Sequence, residues 1–535
     1  MAAVESAASI DSSKPFDAAT MSTDIATMMR SKDEQIAMLS EQVAALRHQI
    51  EWFRRQIFGQ KSERFIPEPN PEQMYLGQMP VPETQPQKRK SVPAHTRRVA
   101  TQDGADTGES LKFFDESRIP VRTILLDHPD THGKNPNQYE IIGEKITYRL
   151  VQNPGSYEVL KVHRPVVKIK ETQQIRCAPA PAGVIDDSRA DVSFIAGVLV
   201  DKFAWHLPLY RQHQRLEAAG ISVSRPWLTQ ISQKGISLLA PIYAAQYASV
   251  LQSRVKAMDE TPIRAGRSGH GKMNTGYFWP VYGELDEVCF PFHTSRSHDY
   301  VSTALGLTQA PGSVLLTDGY AAYQRYAEKT GLTHAQCWAH CRRHFENALE
   351  SEPAGVEQAL IQIQALYAVE QKIRDQNLTG DAKQLYRLIH SKPKLEVFFD
   401  WIERQFERQG FTPTHPFIQA LAYAKTRRLG LEVFVTDPDV PIDTNHLERA
   451  LRVIPMGRKS WLFCWTELGA KHVGIIQSLI VTCRLHGIDP YTYLIDVLQR
   501  VSQHPASRVA ELTPRLWKTL FADNPLRSIA YRLTR

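Results

Sequence analysis

Two short apolar runs in this chain each end on an aspartate. Val255–Met258 leads into Asp259 at a turn bounded by Pro262, and Ser313–Thr317 leads into Asp318. Both runs read as strands, and the C-terminal edge of a mixed α/β sheet is where ligands gather. An aspartate at a strand end is also an ordinary turn former or helix cap, so neither acid alone specifies chemistry. A third acid has a different setting. The stretch Asp443–Phe463, DTNHLERALRVIPMGRKSWLF, opens with a helix-start signal, since Asp443 or Thr444 can cap it while Asn445, Glu448 and Arg452 fall near one face. Glu448 is followed by Arg449, Arg452, Arg458 and Lys459 with no other acid, and then by Trp461 and Phe463 at strand-like alternation. Read alone, this window is best described as a solvated Glu-Arg face. Beside two further carboxylates it suggests a metal ligand at a phosphate site, because two-metal phosphoryl transfer needs hard oxygen ligands from separate elements around ions about 3.5 to 4 Å apart.

Several elements must position these acids. Gly276–Phe292 reads as two strands joined by a polar turn around Glu284–Glu287, and a helix follows from near His298. Helical periodicity over Val192–Ala219 gives Phe194, Val198, Phe203 and Leu207 core character. Ser224 before Pro226 starts another helix after a short turn, a pattern shared by helix-turn-helix motifs and any αα-hairpin, so no DNA groove is assigned to it. Cys337, His340, Cys341 and His344 fall on one face of a helix. Four ligands from one straight helix do not readily close a tetrahedron around zinc, and core packing is expected there.

The N-terminal part is built differently. Residues 1–28 are rich in Ala, Ser, Thr and Asp without periodicity and read as a disordered leader. Met29, Ile36, Val43, Ile50 and Ile57 then recur every seven residues, with Leu39, Leu46 and Phe53 three positions after the middle members. This seam predicts a coiled coil over 29–66 and at least a dimer, the alternative being an amphipathic helix packed on its own domain. Residues 67–110 form a Pro-rich linker with a basic island at Lys88-Arg89-Lys90, which either is simply solvated or tracks a phosphate backbone. Short β-rich runs at Ile124–Leu126, Tyr139–Ile142, Ile146–Leu150, Tyr157–His163 and Pro165–Ile169 predict a small β domain within 111–185. Its His128, His132, His163 and Cys177 come without a Cys-x-x-Cys pair, so ordinary histidines are expected rather than a zinc site.

At 535 residues the chain exceeds one ordinary core, and 42% hydrophobic against 23% charged residues is a globular balance. A net charge of +7 agrees with a nucleic-acid partner without identifying one. Six scattered cysteines and no secretory segment fit a cytoplasmic location, and no run of about 18 apolar residues offers a membrane span.

Taken together, Met258-Asp259-Glu260-Thr261-Pro262, Leu316-Thr317-Asp318-Gly319-Tyr320, Cys337-Trp338-Ala339-His340, NHLERALR from Asn445 and GRKSWLF from Gly457 resemble the IS66-type insertion-sequence transposases. The resemblance covers most of the chain, from a zipper ending in FGQKSERF, through LPLYRQ, to Ser478–Asp496. It implies a multidomain α+β protein. After the coiled coil and a small β domain resembling a degenerate zinc-binding domain, a helical DNA-binding-like region spans 186–250 and a ribonuclease-H-like α/β catalytic core spans 251–475. A helical region at 476–535 ends the chain. Asp259 and Asp318 are 318 − 259 = 59 residues apart, and Asp318 and Glu448 are 448 − 318 = 130, so a helical insertion is expected at about 345–436. The resemblance assigns Asp259, Asp318 and Glu448 to catalysis and to two Mg²⁺ or Mn²⁺ ions. Arg449, Arg452, Arg458 and Lys459 would bind DNA, Asn445 would orient Glu448 or a water, and His340 would support the core. Trp461 is expected to pack rather than to stack on a base. The implied activity is cleavage at element ends and joining of the 3′-OH to target DNA. Its implied partners are double-stranded DNA, a second or further copy of the chain, and accessory transposition proteins. A catalytically inactive dimeric DNA-binding protein derived from a transposase is the alternative. The chain departs from the family in having only Cys177 where paired cysteines often precede the core, and in His446 where an Asn is frequent.

Overall fold

The computed structural model describes residue 32 and residues 113–531, apart from 134, 154, 182, 187, 270–271, 409–411 and 529–530. The expected leader, coiled coil and basic linker thus lie, residue 32 aside, outside the described residues. The chain divides into two compact units, one comprising Gln85–Ala339 with Leu429–Arg535 and the other including His340–Arg428.

The larger unit begins with a sheet of β1 (Val121–Leu125), β2 (Tyr139–Asn153), β3 (Ser156–Ile169) and β4 (Ile175–Cys177), in the order β1-β3-β2 with β4 also paired to β3. β2 and β3 are single long strands where the sequence suggests four short ones. The alternation survives Gly143 because a bulge between Ile141 and Gly143 absorbs it, and Pro165, opposite Glu144, sits beside that bulge, where a strand tolerates a residue without an N–H. His128 caps a turn by accepting the Asp130 N–H, and His163 pairs with Glu144 at 2.9 Å.

Three helices follow, α1 (Val192–Phe203), α2 (Leu209–Ala218) and α3 (Arg225–Gln252). Phe194, Val198 and Phe203 are buried, as their spacing predicts, whereas Leu207 is only half-buried beyond the end of α1. Ser224 caps α3 by accepting the Trp227 N–H at 3.3 Å. This 28-residue helix buries Leu228, Ile231, Ile236, Leu239, Ile242 and Val250, and its length is given to core packing.

The central sheet comes next. Its chain order is β5 (Val255–Met258), β6 (Thr261–Gly269), β7 (Lys272–Phe278), β8 (Val281–Gly283), β9 (Val288–Cys289), β10 (Phe292–His293), α4 (Asp299–Leu305), β11 (Val314–Thr317), α5 (Ala321–Thr330) and β12 (Thr333–Gln336). Five strands form a mixed sheet in the order β12-β11-β5-β8-β9, with β12, β11 and β5 parallel and β8 antiparallel to both of its neighbours, β5 and β9. The other three form a separate sheet, β10-β7-β6. Each arm of the expected Gly276–Phe292 hairpin is divided between the two sheets, and Pro280 and Pro291 mark the break. Neither proline can donate to a ladder, and the Trp279 N–H reaches the Pro291 carbonyl across the gap at 2.9 Å. Pro262 does not end a strand either; it is the second residue of β6.

In the smaller unit, reached through α6 (Trp338–Asn347), α7 (Pro353–Asp375), α8 (Gly380–His390), α9 (Lys392–Phe406) and α10 (Pro416–Thr426) pack around Phe345, Phe398, Trp401 and Phe417. Glu370 and Arg387 form an ion pair inside it, with two hydrogen bonds of 2.8 Å and side chains 7% and 1% exposed. The chain continues as α11 (Arg428–Thr436), α12 (Asn445–Leu451), α13 (Val453–Trp461), α14 (Glu467–Leu485), α15 (Pro490–Arg500) and α16 (Pro514–Leu520). The buried Gln246 of α3 donates to Thr482 of α14 and to the Val288 carbonyl, both at 2.9 Å, which locks both helices to the sheet edge. Among the described residues no helix is long and apolar enough to cross a membrane.

Candidate acidic site and its basic surround

Register brings the two aspartates together. β11 runs parallel to β5 with Leu316 opposite Ala257. Two residues further along each strand, Asp318 comes opposite Asp259, on backbones about 4.8 Å apart. Each carboxylate is held by its own turn: Asp259 accepts the Glu260 N–H at 2.7 Å and Asp318 accepts the Tyr320 N–H at 2.9 Å.

Glu448 arrives from far along the chain, and a series of anchors explains how. Arg254, just before β5, donates to Asp437 at 2.6 and 3.0 Å and to Asp439 at 2.7 Å. The Trp338 indole donates to the Leu431 carbonyl at 2.8 Å, and the Trp338 N–H to the Ile442 carbonyl at 3.1 Å. Thr444 then donates to the Cys337 sulfur from its N–H at 3.3 Å and its hydroxyl at 3.2 Å. Segment 429–444 is thereby carried from the start of β5 to the far end of β12, and α12 starts beside the acids. Thr444 is its N-cap without a side-chain cap bond, and Asp443, one residue earlier, accepts the Asn445 N–H at 3.0 Å and the Asn445 amide at 2.6 Å. Asn445 is therefore engaged with Asp443. Cys337 is not on a helix face with His340, Cys341 and His344, as the spacing suggested. It precedes α6 and continues the strand ladder through its N–H to Thr317, at 3.1 Å. His344 stacks on Tyr423 at 3.9 Å, and His340 belongs to the smaller unit, whereas the acids belong to the larger.

The acids share one electrostatic field. Burial, followed by the charges of Glu260, Asp318 and Glu448, pushes Asp259 from 3.8 up to about 7, against the pull of the Glu260 N–H. As placed, no three His, Cys, Asp or Glu side chains among the described residues close on a point at metal-ligand range. The two observations are compatible, because charge repulsion acts over distances longer than a ligand bond. Glu260 is a site residue that sequence reasoning passed over, although it stands beside Asp259 in the same motif. Its side chain is 4% exposed and accepts the Tyr323 hydroxyl at 2.5 Å and the Arg296 Nε at 2.7 Å. Arg296 also lies over the Tyr320 ring at 4.4 Å, and the Tyr320 hydroxyl donates to the Arg296 carbonyl at 3.0 Å. Separation in sequence hid these partners.

Around the acids, Arg449, Arg452 and Lys459 are exposed, while Arg458 donates to the Pro262 carbonyl and so ties α13 to β6. His446 packs edge-on against Tyr282 at 4.7 Å, and burial depresses its basicity. Trp461 is half-buried against Phe203. It ends a helix rather than sitting in a strand: its ring folds back over Gly457, one turn earlier, where a Cβ would lie 2.0 Å from it. The chain then turns at Leu462, with φ of 64°, and Cys464 joins β6 through its N–H to the Arg264 carbonyl at 2.8 Å.

Residues 187–472 match the family model described as Transposase IS66 family, and residues 478–515 that described as IS66 C-terminal element. Residues 45–104 match the model described as Transposase C of IS166 homeodomain. Curated relatives come from Sinorhizobium fredii (strain NBRC 101917 / NGR234). Uncharacterized protein y4hP is 27% identical over 458 residues, covering 78% of this chain and 81% of its own length. Uncharacterized protein y4qI is 30% identical over 400 residues, covering 70% of this chain and 71% of its own length.

Proposed function

Since the chain belongs to the IS66 transposase family, we propose that it is a DDE-type DNA transposase that cleaves at insertion-sequence ends and joins the freed 3′-OH to target DNA. The observation that carries this reading is that Asp318 and Glu448, distant in sequence, both act on Asp259 electrostatically, and that the two aspartates follow the C-terminal ends of adjacent parallel strands. The mixed sheet, with an antiparallel pair continuing three parallel strands, supports a ribonuclease-H-like core. The helices of the smaller unit fall between Asp318 and Glu448 in sequence, as an insertion in such a core would.

The donor set is carboxylate only, which suits a hard divalent cation. Asp259, Asp318 and Glu448 would hold two Mg²⁺ or Mn²⁺ ions, which when bound activate the attacking hydroxyl and neutralise charge on the reacting phosphate. The chain's own groups do the rest. The Glu260 and Tyr320 N–H groups orient the two aspartates. Arg449, Arg452 and Lys459 contact DNA phosphates, and Arg458 adds its charge from the β6 junction. In strand transfer the 3′-oxygen bonds to phosphorus as the P–O3′ bond of the target strand breaks in line; the attacking hydroxyl loses its proton to solvent and the departing target 3′-oxygen takes one up from solvent. The chain acts as a homodimer or higher oligomer through 29–66, together with accessory transposition proteins.

The test is strand transfer on a labelled duplex carrying the element's own end, with Mg²⁺, comparing wild type with Glu448→Gln. Joined product from wild type alone is expected. Equal product from both proteins would remove Glu448 from the site.

A further inference from the structure

One large aromatic stands in the open next to this surface. Trp465, between α13 and α14, is 61% exposed, and its neighbours Leu462 and Leu468 are 65% and 58% exposed. An indole so exposed beside other apolar side chains marks a place where something binds.

The ring is held rather than loose. Phe463 packs against it at 90° and 4.8 Å, and the Arg267 guanidinium lies over it at 4.7 Å. The preceding residue, Cys464, is bonded into β6 on both sides, through the Arg264 carbonyl at 2.8 Å and the Gly266 N–H at 3.2 Å. On the other side Thr466 caps α14, accepting the Gly469 N–H at 2.9 Å. The rigid loop that presents Trp465 therefore costs little further entropy when a ligand settles on it.

The charge around the ring selects the ligand. Arg264 and Arg267 are exposed on β6, and Arg458 and Lys459 precede the loop on α13. Glu467 stands at the edge, against Gly266. The core of a protein–protein interface is depleted of charge, whereas an aromatic platform set among arginines is what an unpaired nucleic-acid base and its phosphate require. The position agrees. Arg267, on β6, follows Asp259 by eight residues, at most about 26 Å at roughly 3.3 Å per residue, or about eight nucleotide steps.

Resting on the transposase reading above, we propose that Trp465, with Phe463 and Arg267, is a stacking platform for an unpaired DNA base lying within about eight nucleotides of the cleaved phosphate.

The test uses the full chain and two DNAs, a blunt element-end duplex and the same duplex with a single-stranded extension carrying 2-aminopurine at successive positions. Wild type is expected to quench the probe at one unpaired position. Trp465→Ala is expected to lose that quenching and to bind the extended DNA about tenfold more weakly, at the lower end for one base on an aromatic ring. Its affinity for the blunt duplex stays the same, Trp465→Phe recovers most of the loss, and Arg267→Ala weakens binding of the extended DNA. Unchanged quenching in Trp465→Ala, or equal weakening on both DNAs, overturns the platform. So does a change of oligomeric mass with DNA affinity intact, which would make the patch a protein interface. If wild type binds neither DNA even with its accessory transposition proteins supplied, the transposase reading itself falls, a result distinguishable from failure of the platform alone.

Discussion

Replacing Asp259 by Asn should make the metal-free protein more stable, and more so as pH rises. In the unfolded chain the carboxyl ionises near 3.8; in the folded chain burial and the charges of Glu260, Asp318 and Glu448 hold it near 7. Below about pH 4 both states are protonated and the group contributes no pH dependence. Between 3.8 and about 7 the unfolded state ionises while the folded state does not, so stability falls with rising pH. Above 7 both are ionised and the whole penalty is present, about 4 kcal/mol at ~1.36 kcal/mol per pH unit. The Asn variant keeps an oxygen for the Glu260 N–H and loses the charge. Relative to wild type in EDTA it should gain about 2 kcal/mol at pH 5.5 and about 4 kcal/mol at pH 8.5, or about half of each because Asp259 is partly exposed and screened. Urea unfolding followed by tryptophan fluorescence reads this, since Trp279 and Trp338 are fully buried in the larger unit. Adding Mg²⁺ should narrow the gap, stabilising wild type by about 2.7 kcal/mol at a hundredfold excess over Kd, and the variant hardly at all. A variant less stable than wild type at pH 8.5 in EDTA, or a difference that does not change with pH, would refute the reasoning.

Two further outcomes concern packing. Glu370→Ala takes the carboxylate and its two hydrogen bonds away from the buried Arg387 guanidinium and should destabilise the smaller unit by about 3 kcal/mol, whereas Glu370→Leu with Arg387→Met should recover most of that; hydrogen exchange in α7 and α8 reports both. Gly457→Ala puts a methyl into the Trp461 ring and should lower stability by about 1–3 kcal/mol, measured by thermal unfolding, with part regained when Trp461→Ala is added.

Much of this was legible in the sequence because the signals are local. The runs before Asp259 and Asp318 are strands, Ser224 caps α3, and α12 starts after Thr444 with Asp443 bonded to its first N–H. What escaped depends on contacts across the chain. Nothing near Gly143 announces that a bulge will let β2 continue, because the partner strand decides it. Cys337 fits a helical row by spacing, yet its N–H is taken by Thr317 of the neighbouring strand. Trp461 and Phe463 alternate like a strand, but the empty space over Gly457 lets the indole fold back and the helix continue. Glu260 was visible as an acid, and its burial under Tyr323 and Arg296 was not.

Glu260 raises a physical question of its own. Its charge adds to the repulsion on Asp259 instead of relieving it, so a purely electrostatic account would have the site better off without it. Its bonds supply the reason for its presence. Tyr323 of α5 and Arg296 hold its side chain, and its N–H holds Asp259. The same Arg296 packs on Tyr320, whose N–H holds Asp318. One guanidinium therefore ties the residue after Asp259 to the residue two beyond Asp318. The aspartates cannot relieve their repulsion by drifting apart without breaking those ties, so the repulsion stays in the folded protein as a standing penalty. A cation between them removes that penalty, and the free energy released adds to its binding.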